Sequence, residues 1–120
     1  MIESLHHVQI TIPPGSEAEA RAFYCGLLEM REIPKPDELS GRGGFWLEAG
    51  DRQVHVGVED GIDRCRSKAH LAYLVNDLEY VRTVLVENRF DIIEGSPIPG
   101  YSRFEIRDPF GNRVEFLQAV

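Results

Sequence analysis

Along the chain, apolar positions alternate with polar ones in some stretches and recur at three- and four-residue spacing in others. The change of period marks the elements. In HHVQITI, residues 6–12, Val8, Ile10 and Ile12 fall on alternate positions, which predicts a strand that Pro13-Pro14-Gly15 brings to a stop. A helix follows. Ser16, three residues before Glu19, reads as a capping box, and Ala20, Phe23, Tyr24, Leu27 and Leu28 supply an apolar stripe. Short extended segments are expected at 30–34 and 44–48, on either side of the loop KPDELSGRGG. After the turn Ala49-Gly50-Asp51 comes QVHVGV, whose three valines occupy every second position. The predicted order is β-α-β-β-β.

Beyond the polar stretch EDGIDRCRSK the pattern begins again. AHLAYLV reads as a strand, and Asp77 to Asn88 as a helix with Leu78, Val81, Val84 and Leu85 inward. A short strand is expected from Phe90 to Glu94. Two more run from Tyr101 to Arg107 and from Arg113 to Gln118, joined by the turn chemistry of Asp108-Pro109-Phe110-Gly111-Asn112. The second half is again β-α-β-β-β, so the chain reads as one supersecondary unit used twice. Module one spans about 4–58, a connector 59–68, and module two about 69–119, within a single domain covering 1–120. The fold class is α+β.

Composition narrows the function classes. A chain of 120 residues with 42% hydrophobic and 28% charged positions has enough material for one core without disulfide or metal staples. No apolar run approaches the ~20 residues that span a bilayer, so no membrane partner is expected. The opening MIESLHHVQI lacks the basic and apolar segments of a secretion signal, which makes the cytoplasm the expected compartment. Cys25 and Cys65, forty positions apart, offer neither a CxxC pair nor a cysteine metal knuckle and are expected to be reduced. A net charge of −7 with no lysine-arginine run sets nucleic acid aside, because binding it requires a basic surface.

Strand parity brings four chemically able residues to one side. Successive side chains of a strand point to opposite faces, so His7 opposes Val8, Ile10 and Ile12, and His55 opposes Val54, Val56 and Val58. His70 opposes Leu71, Tyr73 and Val75, and Glu115 opposes Val114 and Phe116. The repeat relates them too: His70 follows His7 by 63 positions, and Glu115 follows His55 by 60. All four point away from the face that the helices would cover. Three imidazole nitrogens and one carboxylate suit a divalent Zn, Ni, Co, Mn or Fe ion, whereas Ca and Mg prefer all-oxygen shells. The alternative is four unrelated side chains on an open sheet. His6 falls on the valine side, as packing or rim.

Four segments, LHHVQITIP with ARAFYCGLLEM, then HLAYLV, then DPFGNRVEFLQ, together resemble the vicinal oxygen chelate superfamily. That group includes glyoxalase I, extradiol dioxygenases, methylmalonyl-CoA epimerase, fosfomycin-resistance enzymes and bleomycin-binding proteins. The resemblance covers essentially the whole chain. It implies two βαβββ modules whose mixed sheets curl around a cavity with helices outside, a homodimer, and one divalent metal ion held by His7, His55, His70 and Glu115. It also implies Lewis-acid chemistry on a small molecule with oxygens on adjacent atoms, of isomerase, epimerase or lyase type, with Glu115 able to move a proton.

His55 discriminates among activities. If it is a bystander, His7, His70 and Glu115 form the three-ligand set of an extradiol-type dioxygenase or thiol transferase. A non-catalytic drug- or metabolite-binding protein like the bleomycin-resistance members is the third reading, and the intact donors argue against it. Glyoxalase I resembles this chain except for a carboxylate where His55 stands. Many fosfomycin enzymes carry threonine where this chain has Gln9. Arg103 and Arg113 are candidates to clamp a substrate anion, or else to pair with Glu105 or face water. Trp46 is expected in a cavity wall or dimer contact, and Tyr101, beside GSPIPG, in a lid.

Overall fold

The computed structural model describes all 120 residues, Met1–Val120, which divide into two compact units, Met1–Ile62 and Asp63–Val120. In the first, β1 (His7–Ile12) pairs in parallel with β4 (Arg52–Val58), and β4, β3 (Phe45–Ala49) and β2 (Arg31–Ile33) pair antiparallel. The resulting order is β1-β4-β3-β2. The second unit repeats it as β5-β8-β7-β6, formed by His70–Leu74, Arg113–Ala119, Tyr101–Arg107 and Ile93–Glu94. Neither four-stranded mixed sheet closes into a barrel, and the α+β reading of the sequence is borne out. No helix is long and apolar enough to cross a membrane.

In the first unit, α1 (Glu17–Arg21) continues as a π-helical turn, Ala22–Leu27, in which Leu28 N–H reaches the Phe23 carbonyl five residues back. Ala20, Phe23 and Tyr24 are buried, as are Ile12, Phe45, Leu47, Val54 and Val56 of the sheet. Burying each of the larger side chains contributes about 1.5–3 kcal/mol. The Arg21 guanidinium caps this layer, 4.5 Å above the Phe45 ring. The capping box expected at Ser16 does not form. Its hydroxyl donates instead to the Pro13 carbonyl at 2.6 Å, which the diproline turn has brought within reach. Gly44, at φ +78°, lets the chain enter β3 against β4, where a Cβ would lie 2.0 Å from the Val56 carbonyl oxygen.

In the second unit, α2 (Leu78–Glu87) is capped by Asp77, whose carboxylate accepts the Tyr80 N–H at 3.0 Å. Leu78 and Leu85 are buried, and so are Phe104, Ile106, Val114 and Phe116 on the opposing sheet face. The strand expected from Phe90 shrinks to Ile93–Glu94. Phe90 N–H closes the helix on the Leu85 carbonyl, and Arg89 takes φ 66°, so the chain is still turning where a strand was expected. The stretch expected as a connector contains a one-turn 3₁₀ helix, Arg64–Arg66, that belongs to the second unit. Arg107 Nη1 ties this turn down through the carbonyls of Ser67, at 3.0 Å, and Gly111, at 3.1 Å. In the β7–β8 turn, Asp108 accepts the N–H groups of Phe110 and Asn112 at 2.9 and 2.8 Å.

Candidate functional site

Register decides which polar side chains meet. In the first unit His7 lies beside Gln53 across β1–β4, and His55 is flanked by Gln9 on β1 and Trp46 on β3. The His55 ring is sandwiched, with centroids 4.0 Å from His7 and 3.8 Å from Trp46 and nearly parallel planes. Trp46, whose parity the sequence left open, therefore shares the histidine face. His55 Nε2 donates to Gln53 Oε1 at 2.9 Å, and His6, although exposed, brings its Nδ1 to 2.9 Å from His7 Nδ1. Burial, and then the positive charge of His7, His6 and Lys35, lowers the His55 pKa to about 4. The ring is thus neutral at physiological pH, the state in which an imidazole nitrogen can bind a metal.

The second unit places different chemistry on the equivalent rungs. His70 lies beside Arg113 across β5–β8, and Glu105 faces Glu115 across β7–β8. His70 Nε2 is 3.1 Å from Glu115 Oε1, while its Nδ1 is 2.8 Å from the Lys68 carbonyl oxygen. A carbonyl only accepts, so Nδ1 carries a proton, and Nε2 is the nitrogen that faces the Glu115 carboxylate. A ring nitrogen and a carboxylate oxygen at that distance suit a proton or a cation between them. Anchoring of a ligand imidazole by a backbone carbonyl through its other nitrogen is common in metal sites.

Donor atoms of His70, Glu105 and Glu115 lie within 4.8 Å of one another, a nitrogen-and-oxygen set that fits a divalent Mn, Fe, Co, Ni or Zn ion. Glu105, absent from the expected ligands, is buried and engaged elsewhere. Arg113 grips both of its oxygens, through Nε and Nη2, at 2.6 Å each. Arg103 Nη1 adds a contact at 3.1 Å and reaches Glu115 Oε1 at 3.2 Å. Hydrogen bonding from Arg113 holds the Glu105 carboxyl below its usual range against the opposing effect of burial. Arg103 and Arg113 thus take the carboxylate-paired alternative left open by the sequence. The signal that could have exposed Glu105 was its two-residue spacing from both Arg103 and Arg107 on the Glu115 face of the sheet.

Tyr101 opens β7 opposite Ala119, four rungs from Glu105, and lines an open surface hollow with Leu78, Arg82, Glu94 and Arg103. His7 and His55 are brought together in one unit and His70 and Glu115 in the other. Cys25 and Cys65 are free thiols.

Comparison with known proteins follows the same lines. Residues 4–116 match the family model described as the Glyoxalase/Bleomycin resistance protein/Dioxygenase superfamily. A structure of a glyoxalase family protein from Bacillus anthracis is 39% identical, with a TM-score of 0.91 over 100% of this chain and 98% of that one. A glyoxalase/dioxygenase from Nostoc punctiforme, 19% identical, has a TM-score of 0.79, covering 98% of this chain and 91% of its own. The fosfomycin resistance protein FosX from Listeria monocytogenes, solved with Mn(II) and sulfate, is 13% identical with a TM-score of 0.79, covering 100% and 93%. These last two likenesses are of fold. No curated protein matches the chain.

Proposed function

The chain belongs to the glyoxalase/bleomycin resistance protein/dioxygenase superfamily, the vicinal oxygen chelate group, and from that premise we propose that it is a metal-dependent enzyme. The proposed chemistry is isomerisation, epimerisation or lyase cleavage of a small metabolite with oxygens on adjacent carbons. Its ligands are His70 and Glu115 from the second module and their repeat counterparts His7 and His55 from the first, contributed within one chain or by two copies in a homodimer. The observation that carries this reading is the His70 Nε2 to Glu115 Oε1 approach of 3.1 Å, with the far side of the ring fixed by the Lys68 carbonyl. The Mn(II) bound by FosX, which has the same fold, lies within the range of ions this donor set favours.

When bound, a divalent ion of this kind supplies Lewis acidity to a pair of substrate oxygens. The chain's own contribution is positional and protonic. The Lys68 carbonyl fixes the tautomer and tilt of His70, and Glu115, buried beside Arg103, is the group proposed to take up a proton from the substrate carbon. His55 is neutral and stacked between the rings of His7 and Trp46.

A second reading, a three-ligand dioxygenase or thiol transferase using His7, His70 and Glu115, is favoured by one observation: His55 Nε2 is already satisfied by Gln53. Elemental analysis of protein purified without chelators separates the two. Near-stoichiometric divalent metal in the parent, lost in both His55→Ala and Glu115→Ala, is the expected result. Metal retained in His55→Ala transfers support to the three-ligand reading. A parent that neither carries nor takes up Mn, Fe, Co, Ni or Zn overturns both.

A further inference from the structure

We infer that Glu105 is a positioning residue that sets the cation affinity of the site by holding guanidinium charge away from Glu115; this rests on the metal reading above. Glu105 and Glu115 are direct cross-strand partners, and each is only 4% exposed. Two buried carboxylates on one rung repel. Arginines resolve the conflict unequally. Arg113 commits its planar fork to both oxygens of Glu105, whereas Glu115 receives a single nitrogen of Arg103, shared with Glu105. The carboxylate proposed as ligand is therefore the less neutralised of the pair.

Arg103 cannot readily move to redress this. Its Nε donates to the Ser96 carbonyl at 2.8 Å, and its guanidinium lies against Gly95, where a Cβ would come within 2.6 Å of Cζ. Arg113 is held through Glu105. Removal of the Glu105 charge leaves two guanidiniums against one carboxylate, and Arg113 is then free to turn toward Glu115, two residues along its own face of β8. Removal of the Arg113 charge does the reverse and releases Glu105 as an additional oxygen donor within 4.8 Å of the other two.

The two substitutions therefore act in opposite directions. Mn(II) binding is followed through the EPR signal of the free aqueous ion in the full-length parent, Glu105→Gln, Arg113→Gln and the double variant, with thermal melts confirming folding. Glu105→Gln is expected to weaken Mn(II) binding by about tenfold or more, the scale of one unit charge altered beside a partly buried ion. Arg113→Gln tightens it, and the double variant returns to within about threefold of the parent, as a restored charge balance requires. Arg113→Lys keeps the charge and stays near parental affinity, and with Arg113→Gln it carries the test should Glu105→Gln not fold. Weakening by both single substitutions, as a merely structural role would give, overturns the inference. So does an Mn(II)-binding parent whose affinity neither variant changes, in which case the metal reading stands. A parent that takes up no Mn(II) overturns the inference, and the uptake of the other ions then decides the metal reading by itself.

Discussion

Glu105 and Glu115 stand directly opposite one another across the β7–β8 ladder, and the same rung of the first unit holds Trp46 opposite His55. The fold repeats while the chemistry on the rung does not. One copy presents stacked neutral rings, the other a charged network of two carboxylates and two guanidiniums. Acid should therefore affect the two units through different groups.

In the second unit, Glu105 has a folded pKa below the ordinary carboxylate value, because Arg113 hydrogen-bonds to the charged form. The folded state then binds fewer protons than the unfolded chain, so the stability from this group is present above the ordinary value and lost as pH falls through the folded one. Urea unfolding of the parent between pH 6 and pH 3 is expected to show this decline. Glu105→Gln, less stable at neutral pH, should show a shallower one; equal slopes would contradict the assignment.

For His55 the sign is worked the same way with a cation acid. The unfolded ring protonates near 6.5 and the folded ring at about 4, so stability attributable to neutral His55 is complete above 6.5 and declines as pH falls toward 4. A histidine ring-proton NMR titration should give one resonance with a midpoint near 4 that disappears in His55→Phe. A midpoint near the ordinary histidine value would disprove the buried, stacked environment.

Backbone limits are sharper at Gly44 than at most glycines. It combines φ +78° with a virtual Cβ 2.0 Å from the Val56 carbonyl oxygen, an unyielding neighbour. Gly44→Ala is expected to cost about 2–4 kcal/mol in equilibrium unfolding, from left-handed strain plus displacement of β4. Gly111, at φ +100° and with a Cβ position 2.9 Å from the Cys65 nitrogen, should follow the same direction. A neutral alanine at 44 would mean that the β3 entrance takes another path.

Tyr73 offers a stabilising substitution. Its hydroxyl is buried without a hydrogen-bond partner, and burial, followed by the nearby charge of Asp108, pushes its pKa up. Tyr73→Phe removes the unsatisfied group and keeps the ring that stacks at 6.1 Å on Phe116. A gain of up to about 1 kcal/mol, read as a higher melting temperature, is expected. A clear loss would reveal a partner for the hydroxyl.

The sequence by itself determined a good deal. Period two against period 3.6 located eight strands and the helices, and parity placed His7, His55, His70 and Glu115 on the side opposite the valines and phenylalanines, because side-chain direction in a strand follows from position alone. The doubled β-α-β-β-β pattern was equally local. Tertiary structure decided what lies beside each of those residues. Whether Trp46 faces His55, whether Arg113 grips Glu105, and whether Ser16 caps its helix or turns back to Pro13 depend on register between strands and on what a turn brings within reach. Such contacts join positions distant in sequence or set by loop geometry, and no periodicity along one strand encodes them.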